Sequence, residues 1–321
     1  MVSPTDLFAL HVEEQKLHPQ FRSLRDSNYY HEARLHINTL YQRMGTPSKT
    51  FISHFQADGF HSHLFEIACF AYLESAALKP KRKHSSPDFL ATHNGFNLAF
   101  EATTANPVKQ ASDISLLQME ELSQQEIVEK ENVEFPRRMG KILKKKLGLN
   151  YDKLPQCAGK PLILMIAPFF EPGSVYYIDE SLLNCLYGIN NVTPGFFHLE
   201  KAKSVSAIMY CNAFTVPRFF RLATTIDDSA KIIATREGLY YAPQSDGGIE
   251  IREYKFLVDK PSSPKESWAE GVTVFHNPNA LHPIPTTLLP CTSYFSVNDG
   301  FLTREVHGFH PLTSLMKMYP K

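Results

Sequence analysis

Residues 87–103 read Pro-Asp-Phe-Leu-Ala-Thr-His-Asn-Gly-Phe-Asn-Leu-Ala-Phe-Glu-Ala-Thr. Asn94-Gly95 lies between two strand-like runs, Asp88–Thr92 and Phe96–Thr103. Asn-Gly is the strongest short-range hairpin signal, because a two-residue type I′ turn needs positive φ at both positions. With these two residues as the turn, His93 faces Phe96, and counting outward puts Asp88 opposite Glu101. Alternation then gathers Asp88, Leu90, Asn97, Ala99, Glu101 and Thr103 on one face. Phe89, Ala91, Phe96, Leu98, Phe100 and Ala102 form the other, which is the core side. A slip of one residue would send the two acids to opposite faces.

Opposed carboxylates on a ladder have Cβ atoms about 5 Å apart and repel. A divalent cation held by both turns that cost into use, since Mg²⁺ favours one or two carboxylates plus water and phosphate oxygens. The plainer alternative is a pair of solvated acids, with Lys81 or Lys83 as counter-charges. A third carboxylate adds weight to the cation. Glu66 is the only charge between Leu64 and Leu73, inside LFEIACFAYLESAAL (64–78), a stretch apolar nearly all round and so expected as a buried helix. A carboxylate buried there needs a partner or a metal, unless it sits exposed at the helix start.

Outward from the hairpin, Tyr29–Arg43 has loosely helical spacing, and Pro80 stops the helix that carries Glu66. Residues 113–149 read as helix, with a break at Pro136 as one option. Their first part is acidic, and six of the ten residues from Arg137 to Lys146 are Lys or Arg. PLILMIAPFF (161–170) is a strand covered on both faces. Asp179–Tyr187 is a short helix capped by Gly188, Val205–Cys211 another strand, and beyond residue 215 strand-like pieces alternate with Pro-rich turns. The order gives an α/β fold, a mixed sheet with helices on both faces. Three segments are expected: an N-terminal helical extension over 1–61, an α/β core over 62–215, and a strand- and loop-rich segment over 216–321 packed on that core.

The whole chain, 321 residues at 43% hydrophobic, has ample material for a core. Its 33 basic and 33 acidic residues cancel, so any pull on nucleic acid must be local. No run of 18 apolar residues offers a membrane span. The opening MVSPTDLFALHVEEQK is not read as a signal peptide, and five dispersed cysteines without a CxxC fit reduced thiols in a cytoplasm. Fourteen histidines show no zinc spacing, and Asp246-Gly247-Gly248 lacks the Lys-Ser/Thr of a phosphate loop. Trp268 reads as an anchor between the C-terminal segment and the core.

Glu66 on a helix, then Pro87-Asp88, then Glu101-Ala102-Thr103 on the paired strand, resembles the signature of the PD-(D/E)XK nuclease superfamily. Longer stretches (FQADGF 55–60, FEATTANP 100–107, RRMGKILKKKL 137–147, GKPLILMIAPF 159–169, VFHNPNALHPIP 274–285) are similar to a set of bacterial proteins built on a nuclease-like core. The resemblance implies a restriction-endonuclease-like core (helix, three strands, helix, strand) with N- and C-terminal additions. It also implies metal-dependent phosphodiester hydrolysis. Asp88 and Glu101 would hold Mg²⁺ or Mn²⁺, with Glu66 as auxiliary ligand. The motif's last position, a lysine in the family, is Thr103 here. Thr103 keeps the correct face but brings no charge, so a lysine must arrive from elsewhere. Lys146 ranks first, ahead of Lys145 and Lys109. Two basic runs flank the acids: Lys81, Arg82 and Lys83 on one side, Arg138, Lys141 and Lys145 on the other. These are expected to contact phosphates, with DNA ahead of RNA as the partner and a homodimer as a compatible assembly. The competing readings are a nuclease fold without catalysis, serving as a nucleic-acid-binding or assembly module, and an enzyme acting on another phosphate ester.

Overall fold

The computed structural model describes residues 6–45, 48–106, 123–170, 172–190, 194–223, 232–244, 248–258 and 264–320. Four helices come first: α1 (Pro19–Asp26), α2 (His31–Met44), α3 (Lys49–Gln56) and α4 (Phe60–Ser75). The hairpin follows as β1 (Phe89–His93) and β2 (Phe96–Thr104). Asn94 and Gly95 have φ of 48° and 82°, the two positive values that a type I′ turn demands. Phe89 pairs with Phe100 and His93 with Phe96, so Asp88 stands opposite Glu101 one step beyond the last formal pair.

A second helical stretch runs as α5 (Gln124–Glu129), a π-type segment (Lys130–Glu134) and α6 (Phe135–Leu147). Pro136 follows directly on the π-type segment, and its missing N–H removes one bond of the helical ladder there. The irregularity expected there takes the form of the π-type segment, and the helical path continues through it. Then come β3 (Leu162–Ala167), α7 (Leu183–Tyr187) ending at Gly188 in the left-handed region, β4 (Val205–Tyr210), α8 (Val216–Arg221), β5 (Ile232–Pro243) and β6 (Ile249–Leu257). The chain closes with β7 (Thr273–His276), β8 (Ser293–Asn298), β9 (Phe301–Val306), β10 (His310–Pro311) and β11 (Leu315–Pro320).

Seven strands form the central sheet in the order β1-β2-β3-β4-β7-β8-β9. β2, β3 and β4 are parallel to one another, and β1 is antiparallel to β2. The sheet is therefore mixed, and its central strands β3 and β4 are buried on both sides. Ile163, Met165 and Ala167 of β3 face α1–α4, while Leu162, Leu164 and Ile166 face α6 and α7. That two-sided covering is why β3 reads as an unbroken apolar run rather than an alternation.

Part of the 216–321 segment joins the central sheet. β7, β8 and β9 extend the central sheet beyond β4, and β7 pairs antiparallel with β4. All six residues of β4 are buried, so an open edge there would leave apolar side chains and backbone polar groups without cover. A smaller sheet joins β10, β5 and β11, with β6 pairing on β5. Trp268 packs edge-on against Phe214 and Phe219 and against His36 of α2, tying this half of the chain to the helical layer. Among the described residues, no helix is long and apolar enough to cross a membrane.

Candidate active site

The site lies at the β1–β2 end of the central sheet, on the face covered by α6. Glu101 is buried because its strand is second from the edge and its neighbour Ala99 packs into that core. Asp88, half-buried just ahead of β1, accepts a hydrogen bond from the Ala102 N–H at 2.8 Å. From α6, Lys146 reaches across and donates to Glu101 Oε1 at 2.6 Å. Lys146 is available because Phe135, Met139, Leu143 and Leu147 anchor the helix by its apolar stripe, which leaves the lysine on the flank nearest the sheet edge.

Charge is crowded here. Burial, then the neighbouring charges of Glu101 and Glu66, push the pKa of Asp88 up to about 8, against the opposing pull of the Ala102 N–H and Lys146. Glu101 keeps its second oxygen, Oε2, buried without a hydrogen bond among the described residues. The buried Tyr151 hydroxyl is near enough for Glu101 to raise its pKa, behind burial as the main cause, yet it too forms no hydrogen bond of normal geometry. Tyr151 is a residue that sequence reasoning missed. It follows the basic helix by four residues, and no motif or periodicity singles it out.

Glu66 is buried on α4, as its apolar neighbours required, and its charge is compensated. Arg82 forms an ion pair with Glu66 Oε1, and His63 Nδ1 lies 3.2 Å from Oε2. Arg82 also stacks over the Phe51 ring at 5.7 Å. So Arg82 turns inward to Glu66, while its neighbours Lys81 and Lys83 are exposed. Thr103 shares the face of Glu101 and is half-buried. On the basic helix, Arg138 pairs with Glu134 at 2.8 Å and covers Phe170, whereas Lys141, Lys144 and Lys145 are exposed and form no ion pair among the described residues. Lys109 and the Asp246-Gly247 turn fall outside the described residues.

Among the described residues, no three His, Cys, Asp or Glu side chains form a ligand group by themselves. Asp88 and Glu101 nonetheless fit a divalent cation that draws its remaining ligands from water and phosphate. They are adjacent hard oxygen donors, one with an unpartnered buried oxygen and the other kept protonated by burial and its neighbour's charge, an arrangement a cation would relieve. Comparison with protein-family models, with curated proteins and with solved structures returned no match to this chain.

Proposed function

We propose that this chain hydrolyses phosphodiester bonds of nucleic acid, with DNA ahead of RNA as substrate, at a site of the PD-(D/E)XK kind. The observation that carries the reading is Lys146 Nζ at 2.6 Å from Glu101, beside Asp88. A carboxylate pair with a cation next to it is what this chemistry needs, and the lysine arrives from α6 where the strand offers Thr103. A restriction-endonuclease-like order (helix, three strands, helix, strand) is approached by α4, β1, β2, α6 and β3, with two strands before the helix and the single Lys81–Leu90 bridge in place of a further one; α1–α3 and the residues after β4 would be additions.

Bound Mg²⁺ or Mn²⁺ would supply an acidified water and charge stabilisation. Asp88 and Glu101 would hold it with their carboxylates. Lys146 offsets the charge of Glu101 and fixes its rotamer. Glu66 acts through charge, with Arg82 and His63 holding it in place. Exposed Lys141 and Lys145 lie one turn apart on α6 and offer phosphate contacts.

The test is incubation of plasmid and single-stranded DNA with Mn²⁺. Cleavage is expected for wild type and not for Asp88→Asn or Glu101→Gln, which keep shape and remove charge. Folded wild type that cuts neither DNA nor RNA would overturn the reading. One observation favours a second reading, a binding module without catalysis. Lys146 and Arg82 already neutralise Glu101 and Glu66 from within. Under that reading, calorimetry with Mn²⁺ would show no binding that Asp88→Asn removes.

A further inference from the structure

Outside the carboxylate site, a cavity of about 280 Å³ lies along β1 and β2. Its lining includes four lysines, Lys79, Lys81, Lys83 and Lys160, above Thr92 and Asn97. Three of the lysines come from one short segment. Lys81 pairs with Leu90 through both backbone hydrogen bonds, at 2.8 and 2.9 Å, so this segment runs extended beside β1. Lys81 and Lys83, two apart on this segment, line the cavity together, and Lys79, which turns through the left-handed region at φ 49°, joins them from the segment's start. Lys160 comes from elsewhere and is held in place by donating to the Gln156 carbonyl at 2.5 Å, while Gln156 donates to the Ser86 carbonyl at 2.5 Å. That chain of bonds links the fourth lysine to the residue pair preceding Asp88.

The lining contains no Asp or Glu, and none of the four lysines has an ion pair among the described residues. Charges of one sign around a concavity focus the field and draw anions. On the floor, Thr92 Oγ1 donates to Asn97 Oδ1 at 2.9 Å, which leaves the Asn97 amide N–H₂ as a further donor. The groove starts close to the carboxylates. Leu90 is two residues and Thr92 four residues from Asp88, about 7 and 13 Å along a strand at its usual rise.

We propose that this lysine groove is a phosphate-binding track that grips one nucleic-acid strand to the side of the bond addressed at Asp88 and Glu101. The identity of the strand as substrate rests on the hydrolase reading above; anion binding by the groove does not. The lysines are point charges on flexible stems, so the track grips the backbone and leaves the bases unread.

The experiment is fluorescence anisotropy of a short labelled single-stranded deoxyoligonucleotide in EDTA, over a range of salt. Proteins compared are wild type, Asp88→Asn, and the triple change Lys81→Gln, Lys83→Gln and Lys160→Gln. All three lysines sit at the surface or half-buried, so the fold survives, which circular dichroism verifies. The triple variant is expected to bind about tenfold or more weakly, with the salt slope flatter by about 2, at roughly 0.7 for each single-strand phosphate no longer neutralised. Asp88→Asn is expected to bind at least as tightly as wild type. A triple variant that binds like wild type overturns the track, even if wild type cleaves DNA. Groove-dependent binding without any cleavage leaves the track standing and overturns the hydrolase reading instead. Inorganic tripolyphosphate serves as the second probe. Groove-dependent binding of it with no binding of the oligonucleotide overturns the assignment to a strand.

Discussion

Asp88 and Lys146 make opposite contributions to stability, and both can be measured. Asp88 is held protonated by burial and by Glu101 and Glu66, with a folded-state value of about 8 against the ordinary 3.8. The folded state thus binds this proton more tightly than the unfolded chain does. The resulting stability is full below about pH 4 and is lost as pH rises towards 8. In EDTA, the urea midpoint should fall across that window. Saturating Mn²⁺ should flatten the slope, and Asp88→Asn should abolish it. An Asn variant with an unchanged slope would refute the assignment. Lys146→Ala removes the partner of a buried carboxylate and should cost about 3 kcal/mol in urea unfolding, with Lys146→Arg recovering most of it. At this scale the sequence shows which charges exist but not where they turn. Asp88, Glu101 and Lys146 were legible because a two-residue turn and a helix stripe fix their faces. Arg82 read as part of an outward basic run because nothing local tells a guanidinium that Glu66, sixteen positions earlier, lies buried beneath it. Tyr151 carried no signal at all.

The hairpin is the element on which the site depends. Gly95 has φ of 82°, where a β-carbon is strained although the space around it is open. Gly95→Ala should therefore lose about 1–2 kcal/mol through backbone strain alone. It should also reduce cleavage by more than that loss of fold explains, because the carboxylates depend on register. Cleavage and urea unfolding measured on the same preparation separate the two effects, and a variant with lowered stability but full specific activity would show that register survives. Elements built from local pattern were legible: the turn, the two-sided β3, and the stripe of α6. β7 was visible only as a short apolar piece, and its pairing was not. Its partner β4 is some sixty residues earlier, and β-propensity names a strand without naming its neighbour.

Across the molecule, a buried cluster of three arginines and two glutamates joins the smaller sheet to the rest. Glu266 pairs with Arg218 at 3.0 Å and Arg221 at 2.7 Å, and Arg236 of β5 pairs with Glu270 at 2.6 Å. Burial raises the Glu266 pKa, but Arg218, Arg221 and Arg236 outweigh it and bring it down to about 2. A depressed folded-state value means stability that is present above the ordinary carboxylate range and is lost as pH falls from about 4.5 towards 2. Glu266→Gln leaves three cations with one carboxylate between them and should cost about 3–5 kcal/mol at neutral pH. It should also remove part of the acid sensitivity. Thermal melts of both proteins between pH 2.5 and 7 check this, and parallel pH curves would refute it. The composition and the mixed sheet were readable from sequence. This cluster was not, since its members are dispersed from Arg218 to Glu270 and only the fold assembles them.

The neighbours of β4 in the sheet set a timetable. A ribosome delivers the carboxylate hairpin, α6, β3 and β4 in turn, and these can begin to pack as they emerge. The strand that closes β4 emerges only after β5 and β6, which themselves wait for β10 and β11 to complete their own sheet. A nascent chain stalled before residue 270 would hold both carboxylates in place and yet display a largely apolar strand, buried along its whole length in the finished fold, with one unpaired edge. Such an edge pairs readily with another copy. Production of this protein should accordingly be limited by aggregation during synthesis more than by the stability of the finished fold, and slower expression at low temperature should raise the yield.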